Sequence, residues 1–231
     1  LKIGEEFNLH LFVNDFLMAI FFLFVGCEIK RELVYGKLSS IKQASFPVLA
    51  AIGGMVAPAL IFTLFNYNSG FEIGAGVPLS TDIAFAIGIF SILESRMNSS
   101  LKLFLLTLAV VDDLLSIIII GVFYSSNIRI TGIIISIVLT IILFSIKFFN
   151  KNNKLYPYII LGLALWIAVF YSGIHSTLSG VLLAFSIPVL DDKNRDKDLS
   201  YKIQHKLELF SNFIILPLFA FVNTGISLSG I

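Results

Sequence analysis

Eight stretches of this chain are apolar enough to lie inside a bilayer, and that feature decides what it can fold into. They sit near 12–34, 43–66, 71–94, 100–124, 130–149, 156–171, 175–189 and 207–226. A helix crossing the roughly 30 Å hydrocarbon core needs about 20 mostly apolar residues. Membrane β-strands alternate apolar and polar side chains, whereas runs such as Ser116 to Phe123 and Gly132 to Phe144 do not alternate in this way. With no water in hydrocarbon to satisfy an open backbone, the helix remains. The expected fold is all-α, a polytopic membrane helix bundle forming one transmembrane domain over 1–231.

The stretch from Tyr156 to Leu190 needs separate treatment. As one helix it would extend about 52 Å at 1.5 Å per residue, too far for one crossing. Lys151 and Lys154 precede it, and Lys193, Arg195 and Lys197 follow it. Basic residues favour the cytoplasmic side, so both ends belong there and the chain must turn back. The expected break lies near Ser172, Gly173 and Ser176. With the first helix running inward, the inside holds Lys30, Arg31, Lys37, Lys42, Arg96, Lys102, Lys147, Lys151, Lys154, Lys193, Arg195, Lys197, Lys202 and Lys206. The outside holds only Lys2 and Arg129. Moving the count by one helix would destroy this asymmetry.

Composition closes off the other classes. Charged residues make up 13% of the 231, against about 25% in a soluble domain, which excludes a water-soluble globule and a disordered chain. A net charge of +1 gives no basic field for nucleic acid. The single cysteine, Cys27, allows neither an intramolecular disulfide nor a cysteine-based metal cluster. The sequence opens at Leu1 with no signal-peptide pattern and stops at Ile231 behind a hydrophobic segment, so a piece of a longer membrane protein is expected.

Three carboxylates sit where carboxylates are expensive. An Asp at the membrane centre costs about 2.5–3.5 kcal/mol on insertion scales. Asp112 and Asp113 lie midway along their segment in Leu108-Ala109-Val110-Val111-Asp112-Asp113-Leu114, too far from either end to reach water. Asp82 follows Gly74, Gly76, Pro78, Ser80 and Thr81, so the first half of its span is a poor helix. An interrupted helix at that depth is tolerated only in protein or beside a watery cavity. Its freed carbonyls, with the Ser80 and Thr81 hydroxyls, are hard oxygen ligands suited to a small alkali cation. Adjacent helical residues point about 100° apart, so one of Asp112 and Asp113 faces a cavity and the other a neighbouring helix. No lysine or arginine lies at depth in the eight segments to meet it; Lys30 and Arg31 stand at a helix end.

Removing a carboxylate from water favours its protonated form, and a like charge nearby adds to the effect. Carboxylates around one cavity then titrate together and hold either protons or a cation. A cavity opening to one side at a time would exchange the two by competition, with no covalent step and no cofactor. Other readings use the same residues: an intramembrane aspartyl protease, a cation channel, or a fragment without transport. The protease signatures Tyr-Asp and Gly-x-Gly-Asp are absent, since Asp82 follows Thr81 and Asp112 follows Val111. A light-driven pump would need a deep lysine for retinal, and none is present in the segments.

Four motifs in order carry a family resemblance. They are Gly26-Cys27-Glu28-Ile29-Lys30-Arg31-Glu32-Leu33, Thr81-Asp82-Ile83-Ala84-Phe85-Ala86, Val111-Asp112-Asp113-Leu114 and Leu216-Pro217-Leu218-Phe219-Ala220-Phe221-Val222-Asn223. The chain resembles the NhaA-type sodium/proton antiporters over nearly its whole length. The resemblance implies the family's inverted-repeat fold of twelve helices, with this chain supplying the second to the ninth. It implies that Asp113 and Asp82, with Thr81, bind sodium or lithium and protons, and that Asp112 pairs with a lysine on the tenth helix. It further implies a bacterial inner membrane location, lipid and the transported ions as partners, and a second copy of the chain in a homodimer. Glu28, Arg31 and Glu32 match the family's pH-regulating region. His205 and Glu208 match it more loosely, beside Gln204 where the family usually has an acid. Asp15 is expected to be solvated at the outer interface. His175 is expected to be a hydrogen-bonded packing residue, and Trp166 and Tyr171 interface or packing residues.

Overall fold

The computed structural model describes residues 9–36, 39–71, 74–76, 128–149, 154–190 and 198–223. Between 101 and 119 it describes 101, 104, 105, 108, 111, 112, 115, 116 and 119. Among the described residues regular structure is helical throughout, as the apolar segments require. The chain divides into two compact units, Leu1–Arg31 with Tyr124–Ile231 (unit 1) and Glu32–Phe123 (unit 2).

Unit 1 holds most of α1 (Phe12–Val34), which opens with a π-helical stretch, Phe12–Leu17. It also contains α3 (Ile130–Phe149), α4 (Tyr156–Ser172), α5 (Leu178–Ser186) and α6 (Leu199–Asn223). Glycine ends α4: Gly173 takes φ +81°, the left-handed conformation that stops a helix. Pro188 limits α5, because the residue before a proline avoids helical ψ and Ile187 is extended at ψ 129°. Nine residues give α5 a length of about 13 Å, less than half the hydrocarbon thickness and shorter than the apolar stretch 175–189. α6 starts at Leu199, upstream of its apolar segment near 207, because Asp198 caps it. The Asp198 carboxylate accepts the backbone N–H groups of Ser200 (2.9 Å) and Tyr201 (3.3 Å).

Packing in unit 1 inverts the soluble pattern. On α3 the residues turned outward are Ile134, Ile135, Ile137, Val138 and Ile141, while Ser136 is buried. Apolar side chains facing out are what lipid calls for. With no hydrophobic drive between helices in lipid, small residues set close approach. A Cβ on Gly180 would run into the Ala19 carbonyl oxygen and stand 2.9 Å from Leu23 N; one on Gly26 would stand 2.7 Å from Ala184 Cβ. α5 therefore lies almost backbone to backbone on α1. At the C-terminal end of α5, where carbonyls lack helical partners, Lys30 Nζ donates to Phe185 O (2.7 Å) and to Ile187 O. The cation also opposes the negative end of the helix dipole. Lys30→Met is expected to cost about 1–3 kcal/mol by leaving partly buried carbonyls unpaired. The thermal midpoint of the purified protein should fall by several degrees, with Lys30→Arg recovering most of the loss. An unchanged midpoint for Lys30→Met would remove this contact from the account.

Unit 2 contains α2 (Ile41–Phe65), which carries Pro47 and Pro58 inside it. Proline removes a backbone donor but is tolerated in membrane helices. The described positions between 104 and 119 are also helical, and Phe104 reaches Phe46 of α2 with ring centroids 5.2 Å apart.

Candidate functional site

Asp112 is the described member of the carboxylate group. It is one of the helical described positions between 104 and 119 and is 3% exposed, with Val111 and Ser116 also buried. Ser116 lies four residues on, so the two share a helix face. An ionised carboxylate removed from water must be neutralised by a proton, a cation or a partner charge, so this position suits a group that trades such partners. Asp82, Asp113 and Thr81 lie outside the described residues, and their separation from Asp112 is not described. All four positions fall within the sequence range of unit 2. Among the described residues no three His, Cys, Asp or Glu side chains group as metal ligands.

A second group, from the charged motif at the end of α1 and the start of α6, is built inside unit 1. The Arg31 guanidinium carbon lies 4.7 Å above the Tyr201 ring. The Tyr201 ring is parallel to the His205 imidazole, with centroids 6.0 Å apart and 2° between planes. His205 Nδ1 is 3.5 Å from Glu208 Oε2. Tyr201, His205 and Glu208 follow each other at four and three residues, one stripe of α6, and the Asp198 cap fixes the turn that presents Tyr201. His205 and Glu208 are 73% and 53% exposed, so their pairing contributes no more than about 1 kcal/mol. A guanidinium over a half-buried ring adds on the order of 1 kcal/mol. Glu28 is half-buried one turn before Arg31. Glu32 falls in unit 2, where its carboxylate lies against Gly36. The side-chain oxygen of Gln204 is buried with no donor among the described residues.

Three residues in this unit carry more than the sequence suggests. Asp15 is half-buried; its Oδ1 accepts Ser176 Oγ at 2.6 Å, and its backbone oxygen accepts Trp166 Nε1 at 3.2 Å. It ties the π-helical start of α1 to the break between α4 and α5, which corrects the expectation of interface solvation. Trp166 also packs edge-on against Phe16 at 5.2 Å. His175, expected to be a hydrogen-bonded packing residue, has its Nε2 buried without a partner among the described residues. Tyr201 carries no charge that would single it out in the sequence, although Asp198 ahead of Leu199-Ser200-Tyr201 is a readable helix-start signal.

Comparison with known proteins gives these features a family. The sequence profile described as Na+/H+ antiporter 1 matches residues 1–231. The chain is 50% identical over 223 residues to Na+/H+ antiporter NhaA 2 of Shewanella denitrificans, covering 95% of this chain and 55% of that protein. It is 47% identical over 220 residues to Na+/H+ antiporter NhaA of Vibrio cholerae, covering 95% and 57%. With the Campylobacter curvus NhaA it is 47% identical over 234 residues, covering 100% and 58%. The chain thus spans a little over half the length of these relatives.

Proposed function

This chain belongs to the Na+/H+ antiporter 1 family, and from that premise we propose that it exchanges sodium for protons across a bacterial inner membrane, as part of a protein the length of its relatives. Asp113 and Asp82 bind the cation or the protons, and the Thr81 hydroxyl adds an oxygen ligand. Asp112 holds the neighbouring helix through a partner charge. Lithium shares the preference for hard oxygen and would compete. The exchange needs no resident cofactor and makes no covalent bond. The observation that carries this reading is the buried Asp112, 3% exposed on an apolar helix, with Asp113 next to it in sequence.

The pairing of Arg31, Tyr201, His205 and Glu208 supports pH control at the cytoplasmic end, with Glu28 and Glu32 on the same stretch of α1. A change of charge along this row would alter the hold of Tyr201 on Arg31. Two copies of the protein would form the transporting dimer.

Asp82→Asn tests the cation site. With one charged oxygen ligand replaced by a neutral one, the sodium concentration for half-maximal exchange in proteoliposomes of the full-length protein should rise about tenfold or more, a loss of about 1.4 kcal/mol or greater. An unchanged half-saturation would take Asp82 out of the site.

A further inference from the structure

We propose that unit 1 carries a binding site for an anionic phospholipid, seated in the groove between α3 and α4 with its phosphate on Arg129. The groove has a volume of about 500 Å³ and is lined by Gly132, Ile135 and Leu139 from α3 and by Ala164, Ile167 and Tyr171 from α4, with Arg129 at its mouth. The lining includes no acid. The guanidinium has no hydrogen-bond or ion-pair partner among the described residues, and Arg129 is exposed.

Three observations select this occupant. The first is placement. Ile135, Ile167 and Tyr171 are large hydrophobics left exposed along the groove, so on a membrane protein it opens to lipid. The second is length. From Arg129 to Leu139 is ten residues, about 15 Å along a helix, or half the roughly 30 Å hydrocarbon. An acyl chain of one leaflet runs that far below its phosphate. The third is charge. In the topology expected from the sequence, Arg129 is one of two cations on the side opposite the other fourteen, and its donor fork matches a phosphate.

Local structure holds the arginine at the mouth. Arg129 N donates to Ser172 O at 2.8 Å, and a Cβ on Gly132 would stand 2.6 Å from Ser172 Cα. The start of α3 is therefore pinned to the end of α4, while the small Gly132 and Ala164 leave space below. Lipid tails are as apolar as the groove, so burial alone gives little preference for one lipid. Selectivity has to come from the cation, as in other basic pockets between membrane helices. The inference rests on the membrane reading of the chain and not on ion exchange.

The test is a lipid titration of the delipidated full-length protein followed by native mass spectrometry. Phosphatidylglycerol and phosphatidylethanolamine with the same acyl chains are compared. The wild type should show one phosphatidylglycerol binding event about tenfold tighter than any for phosphatidylethanolamine that Arg129→Gln also affects. Arg129→Gln should abolish that preference, and Arg129→Lys should restore part of it. Ala164→Phe, which fills the groove and leaves the cation, should weaken both lipids alike. Arg129→Gln changes an exposed side chain and keeps the test open should Ala164→Phe fail to fold. Unchanged phosphatidylglycerol binding in Arg129→Gln overturns the site, and so does undiminished phosphatidylglycerol binding in a folded Ala164→Phe protein. Because no transport is measured, either result leaves the antiport reading to its own tests.

Discussion

Asp113→Asn is expected to abolish sodium-driven proton movement, lowering it at least 100-fold in membrane vesicles made with the full-length protein. An amide is close in shape to a carboxyl group but does not ionise near neutral pH and carries no negative charge. It can neither neutralise a bound sodium ion nor release a proton when one arrives. The measurement is the collapse of an imposed pH gradient on adding sodium, with protein levels matched by immunoblot. Asp113→Glu, which keeps the charge on a longer stem, should retain a fraction of the rate with a shifted sodium dependence. Exchange at the wild-type rate in Asp113→Asn would assign the chemistry to other groups.

The second large effect is structural. Gly180→Val should prevent unit 1 from packing, with loss of monodisperse protein after solubilisation and a thermal midpoint far below that of the wild type. Added side-chain volume in a tight core typically costs about 1–3 kcal/mol and occasionally more. Here the obstruction is backbone, the Ala19 carbonyl oxygen with Leu23 N behind it at 2.9 Å, so no rotamer change clears it. Gly180→Ala should already destabilise measurably. Shrinking Ala19 to glycine should not rescue either variant, because the contact is with its main chain. A Gly180→Val protein with the wild-type midpoint would mean that α5 does not lie on α1 as described.

How much of this could be read in advance depends on which physics was involved. The helical class follows from bilayer chemistry, and runs like Gly132 to Phe144 leave no other choice. Gly173 and Pro188 are punctuation that any chain must obey. Hydropathy does not show the early start of α6, because it sees only the apolar half; the turns from Leu199 to Phe210 are amphipathic, and the Asp198 cap marks where they begin. The hold of Asp15 on Ser176 was equally hidden. It joins positions 161 apart in the chain, and no local pattern encodes that.

For the candidate site, burial was legible and grouping was not. A carboxylate amid valine and leucine announces its depth from the sequence alone, and Asp112 is indeed sequestered. Which of Asp82, Asp112 and Asp113 share a cavity depends on helix rotation and on the path of an interrupted helix, neither of which a periodicity records. The Arg31, Tyr201 and His205 stack shows the same division. Its charged ends were nominated from motifs, while the ring that joins them came from packing.

The central claim is that sodium and protons contend for the same carboxylate oxygens, and equilibrium sodium binding to the purified full-length protein at a series of pH values tests it most directly. If one proton leaves for each ion bound, the apparent dissociation constant should fall about tenfold for each unit of rising pH while the site is protonated. The fall should level off once the carboxylates have lost their protons, with the number of sites constant throughout. A dissociation constant that stays flat across the range in which the protein transports would contradict the account.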